Sequence, residues 1–134
     1  MSKGTIKTVK DVMNQHFCRV DGLLTVEDAV TLMQRSNARV LIVDKRDEQD
    51  EYGIVLLSDI AKKVLAKNLS PERVNIYEIM SKPTLCIRSQ MQIRFCARLF
   101  NKFGLAVAPV VDKEDDIIGV INYDDLVLSG LPNL

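Results

Sequence analysis

Gly53-Ile-Val-Leu-Leu-Ser-Asp-Ile60 and Gly119-Val-Ile-Asn-Tyr-Asp-Asp-Leu126 are two versions of one phrase. Each opens on glycine, continues through an aliphatic run that reads as a strand, and reaches an aspartate where the pattern turns helical. Working outward, Val12-Met13 recurs as Ile79-Met80, and Val43-Asp44-Lys45 as Val111-Asp112-Lys113. The offsets are 66, 67 and 68 residues in a chain of 134, so two copies of one unit, 1–68 and 69–134, account for almost all of it.

Both copies read alike. Short strands near Phe17–Val20 and Thr84–Ile87 precede a helix whose apolar residues keep helical spacing, Val26, Ala29, Val30 and Met33 in the first copy. The second copy answers with Ile93, Cys96, Ala97, Phe100 and Phe103, and Thr25 is placed to cap the first helix. Two β-branched runs follow, Arg39–Asp44 with Gly53 onward and Ala106–Asp112 with Gly119 onward, each pair separated by a charged loop as in a hairpin. A final helix closes each copy, over 58–67 and about 124–129. The order is β-α-β-β-α, an α/β unit of about 65 residues that buries only a modest core alone. Two pseudosymmetric units are therefore expected to pack through their sheets, leaving clefts where strand ends converge.

Composition narrows the function. With 18 basic and 18 acidic residues the formal net charge is zero, which gives no footprint for nucleic acid or an anionic membrane. A 47% hydrophobic and 27% charged chain is that of a folded domain, without an apolar run near the ~18 residues of a membrane span. The start, Met1–Lys10, lacks the apolar stretch of a secretory signal, and the expected compartment is the cytoplasm. Cys18, Cys86 and Cys96 are an odd set without metal spacing and read as reduced, packed thiols. His16, the only histidine, would have to serve any histidine-based nucleophile or metal site alone, and no hydrolase, zinc or phosphate-loop motif is present. An enzyme is disfavoured, and no cofactor is required.

The hydrophobic-Met openings (Asp11-Val-Met13, Glu78-Ile-Met80), the strand ending in Val-Asp, and the Gly-initiated strand-to-helix turn with its aspartate resemble, twice and in order, tandem CBS domains, the pair called a Bateman module. The resemblance implies a stand-alone regulatory sensor, associating as a homodimer, that binds AMP, ADP, ATP or S-adenosylmethionine in its clefts and modulates an effector protein. It further implies that Asp59 and Asp125 grip the ribose, because an ionised carboxylate accepts from both hydroxyls of a diol. Ser58, also a natural helix N-cap, and Asn122 would add polarity beside them, Arg39 would contact phosphate, and Thr84 would lie near the nucleoside. Val20, Ile42, Ile54, Ile87, Val110 and Val120 either face an adenine ring or are ordinary core.

The departures are as informative. The family's Thr or Ser after the aliphatic pair is Leu56 in the first copy and Asn122 in the second. Asp124 stands where Ser58 stands and would repel a phosphate, or would simply cap the last helix. Arg39 has Val107 as its counterpart by the repeat offset. These changes leave a second reading open, a homodimeric interaction scaffold with degenerate clefts.

Overall fold

The computed structural model describes residues 6–132; Met1–Thr5, part of the start read above as lacking a signal, and Asn133–Leu134 lie outside the described residues. The class is α/β, with two three-stranded sheets ordered β1-β2-β3 and β4-β5-β6. In chain order the elements are α1 (Val9–Val12), β1 (Phe17–Val20), α2 (Val26–Ser36), β2 (Val40–Val43), β3 (Gly53–Leu56) and α3 (Leu57–Ile60). The chain continues with β4 (Ile87–Arg88), α4 (Ile93–Phe103), β5 (Val107–Val111) and β6 (Ile117–Asn122). A π-helical turn, Ala61–Leu65, extends α3, and another, Asp125–Ser129, follows β6. The closing helices of the two copies thus start one residue earlier than expected over 58–67 and about 124–129, and each is partly π-helical, wider than a regular helix.

Local chemistry sets these boundaries. Thr25 Oγ1 accepts from the Asp28 amide at 3.2 Å, capping α2 as expected. Asn37 ends α2 in the left-handed region (φ 56°) and Gly104 ends α4 there (φ 64°), the conformation that lets the last carbonyls be satisfied. Strands β1 and β2 run parallel, which requires the α2 crossover, and β2–β3 is the antiparallel hairpin expected. The second sheet repeats the scheme. Its first strand begins at Ile87, not Thr84, because the Thr84 amide is turned back onto the Tyr52 carbonyl at 3.1 Å.

The compact units are not the sequence copies. One unit is His16–Thr84; the other joins the segment up to Gln15 with Leu85 onward. The core of the first gathers Val20, Leu41, Val55 and Val64 with Val74, Ile76 and Ile79, which by sequence belong to the second copy. The core of the second gathers Ile87, Phe100, Val110 and Ile121 with Val9 and Val12 from the first copy's opening. Each opening segment is a single apolar turn with no core of its own copy to fill, so it closes the other's.

Two features lock this exchange. Asn14 pairs with Val120 through two backbone bonds (2.9 and 3.0 Å), and Ser81 pairs in the same way with Ile54 (2.9 and 3.0 Å). Met13 lies over Gly119 and Met80 over Gly53, so closely that a Cβ would stand 2.6 Å and 2.7 Å from the respective sulfurs. The glycine that opens the repeated phrase is therefore a seat for the opposite copy's methionine.

Cys96 is a buried thiol, and Cys18 and Cys86 are partly buried, less packed than expected of them. Burial pushes the Cys96 thiol up to about 11, so it is a protonated, packed group. No helix among the described residues is long and apolar enough to cross a membrane.

Candidate functional site

In the unit that contains β6, the turn after the strand is closed by a reciprocal pair. Asn122 Oδ1 accepts from the Asp125 amide at 2.9 Å, and Asp125 Oδ2 accepts from the Asn122 amide at 3.1 Å. Asn14 adds a third bond, its Nδ2 donating to the same Asp125 Oδ2 at 2.7 Å. Both donors to Asp125 fall on one carboxylate oxygen. Among the described residues Oδ1 carries no protein hydrogen bond, which suits it to accept from a diol. Asp124 is exposed and makes no side-chain cap. The cap expected of it belongs to Asn122, because the helical turn is entered two residues earlier. Tyr123 stands edge-on to Phe100, with ring centroids 5.4 Å apart, which ties the turn to the core.

The corresponding turn in the other unit is half of that device. Asp59 Oδ2 accepts from the Leu56 amide at 2.8 Å, but the Leu56 side chain has no oxygen with which to reciprocate. Asp59 is the third helical residue, and Ser58 lies inside α3 rather than capping it. Lys63 takes the place of Asn14: its Nζ stands 3.7 Å from Asp59 Oδ1 and donates to the Ile79 carbonyl at 3.0 Å.

Pairing places the remaining candidates. Val40 pairs with Leu56, so Arg39 enters the sheet at the same edge as Ser58 and Asp59, and it lines a groove of about 230 Å³ with Leu57. Val107 pairs with Asn122, which makes Ala106 the structural counterpart of Arg39, one residue before the Val107 given by the repeat offset. Thr84 sits beside Tyr52 at the far end of β3, away from Asp59, because the exchanged segment runs along that end of the strand. The six aliphatics all are buried: Val20, Ile87 and Val110 lie within the two cores, and Ile42, Ile54 and Val120 are covered as well. Asn14 and Lys63 escaped the sequence reading. Asn14 follows the opening Met, as Ser81 does, so a polar residue after each Met was the available signal.

A family model described as CBS domain matches residues 9–66 and again 76–130. The chain belongs to the CBS domain family. The hexameric CBS-CP12 protein from bloom-forming cyanobacteria is 35% identical, with a TM-score of 0.87 over 94% of this chain and 72% of that one. The CBS domain pair of protein MJ0100, in complex with 5′-methylthioadenosine and S-adenosyl-L-methionine, is 24% identical with a TM-score of 0.75 over 93% and 96% of the two chains, a likeness of fold. Among curated relatives, an uncharacterized protein of Methanopyrus kandleri is 28% identical over 76% of this chain and 51% of its own length. A homoserine O-acetyltransferase of Methanosalsum zhilinae is 30% identical over 89% and 23%. The chain thus spans about half or less of the length of these two relatives.

A cavity of about 490 Å³ in the CBS chain lies at the opposite end of the first sheet from Asp59, lined by Asp21, Val43, Asp50, Tyr77, Met80 and Lys82. None of the residues proposed from sequence is in it. Its polar anchor is Asp50, whose carboxylate receives Lys82 Nζ and, at 2.8 Å, the Arg46 amide. These donors, Lys82 first, hold the Asp50 carboxyl far below the usual carboxylate range. A depressed folded-state value means that the stability it confers is present above the unfolded value, about 4, and is lost as pH falls through the folded one. Lys82→Met is therefore expected to be less stable than wild type at pH 7, with the gap narrowing in acid. Urea denaturation at several pH values checks this, and a gap that does not change with pH would refute it.

Proposed function

We propose that this CBS pair is a regulatory module that binds an adenosine-containing ligand at its strand-to-helix turns and passes the occupancy to an effector polypeptide. The observation that carries the reading is the Asp125 carboxylate, fixed through one oxygen by Asn122 and Asn14 with the other oxygen available. Such a group is preorganised to receive the two hydroxyls of a ribose. Support comes from a neighbouring CBS pair in complex with 5′-methylthioadenosine and S-adenosyl-L-methionine, and from the cytosolic domain of the Mg²⁺ channel MgtE in complex with ATP. The class of AMP, ADP, ATP or S-adenosylmethionine is proposed for this chain on those grounds, with no catalytic role and the cytoplasm as its place. Self-association is part of the proposal: Leu65 and Leu128 are about three-quarters exposed, at 77% and 73%. A homodimer is the simplest assembly, and the related CBS-CP12 protein is hexameric.

Thermal shift with a panel of these ligands tests the reading. A ligand at 100 times its Kd adds about 2.7 kcal/mol, which should raise Tm by several degrees. Asp125→Ala is expected to weaken the ligand held there by about 1.5–3 kcal/mol, the scale of hydrogen bonds to a charged group. A second reading, an interaction scaffold, is favoured by one observation: Leu56 leaves the Asp59 turn without its polar half. The absence of any shift at millimolar ligand, with self-association intact, would establish that reading instead.

A further inference from the structure

The two turns differ in charge more than in shape. From Lys113 to its end the chain carries no further Lys or Arg, while Asp124 and Asp125 stand side by side at the turn after β6. The side chains hydrogen-bonded to Asp125 in this turn are neutral amides, Asn14 on the carboxylate and Asn122 in the cap, and Ala106 precedes the paired Val107. Lys7, in the same unit, donates to the Ser129 and Pro132 carbonyls at 3.0 and 2.6 Å. The turn after β3 is the reverse. Its single aspartate faces Lys63, Lys62 and Lys67 follow in sequence, and Arg39 enters at the same sheet edge beside Leu57.

From this we infer that the turns divide the adenosine class between them: the Asp59 turn takes adenosine phosphates, and the Asp125 turn takes adenosine compounds whose 5′ substituent is neutral or cationic. The inference rests on the proposed function and adds to it which ligand goes where. At the Asp125 turn a phosphate would be driven against two carboxylates, of which that of Asp125 is hydrogen-bonded by neutral amides, whereas a sulfonium would be attracted. At the Asp59 turn the missing hydroxyl of Leu56 leaves phosphate to Arg39, whose guanidinium suits phosphate oxygens. The aspartate there needs only to hold the sugar.

Isothermal titration of the full chain with ATP and with S-adenosylmethionine, singly and together, tests the division. Each probe is expected to bind once per chain, without competition. Arg39→Ala should weaken ATP by about tenfold or more while changing S-adenosylmethionine by less than about twofold. Asp124→Lys, at an exposed position, should weaken S-adenosylmethionine and admit a second ATP, so that ATP stoichiometry rises. Competition between the probes, or one variant weakening both alike, would overturn the division and leave the sensor reading standing. Binding of neither probe at millimolar concentration would overturn both.

Discussion

Replacing Ile76 by alanine is expected to cost about 2–5 kcal/mol of folding stability, the range for truncating a large aliphatic in a packed core. Ile76 lies past the midpoint of the chain, in the second sequence copy, yet it is fully buried in the core built by β1, β2, β3 and α2. Its amide donates to the Leu24 carbonyl at 2.8 Å and its carbonyl receives the Ile79 and Met80 amides at 3.1 Å, so the backbone holds the side chain in place. A cavity left there cannot be refilled by a sliding turn. Chemical denaturation of the full chain measures the loss. A value below about 1 kcal/mol, ordinary for a surface position, would show that the second copy's opening does not close the first copy's core.

Gly119→Ala is expected to destabilise by about 1–3 kcal/mol, the cost of overpacking, and by more than Gly53→Ala. Both glycines seat a methionine, but what lies behind the sulfur differs. At Gly53 the next atoms are the Val43 Cβ at 3.3 Å and the Met80 Cγ at 3.5 Å, so a flexible side chain can withdraw. At Gly119 the Asn14 carbonyl oxygen stands 3.1 Å from the added carbon, as does Met13 Cγ. That oxygen accepts from the Val120 amide, so relief requires the backbone bridge to open. Opening it moves the Asn14 amide away from Asp125 Oδ2, and ligand affinity at that turn should fall together with stability. Urea denaturation of both variants, with a titration of Gly119→Ala, tests the pair. An equal or larger loss at Gly53 would contradict this account.

Much of the fold was legible because it rests on local signals. The repeated Gly-to-Asp phrase, the helical spacing of Val26, Ala29 and Met33, and the two β-branched runs each specify an element within a few residues. The aspartates were legible too, since their position after the strand recurs. The exchange of openings was not legible, because an isolated apolar turn such as Asp11-Val-Met13 has the same pattern whichever core it closes. Ser58 and Asp124 misled as caps because Ser and Asp are good caps wherever a helix starts, and the start is set by the pairing of Leu56 and Asn122 with β2 and β5. Asn14 was invisible for a related reason: its partner is 111 residues away, and only the folded chain brings them together.

The traded turns also make each repeat depend on the other. Each repeat's opening turn fills the core built by the other repeat, so one repeat alone would need a second molecule to supply the turn that finishes its core. Joining two repeats end to end makes the loan internal, where the lender is always at hand and dilution no longer matters. Carrying both repeats, the chain holds for each unit the piece that its own repeat spends elsewhere.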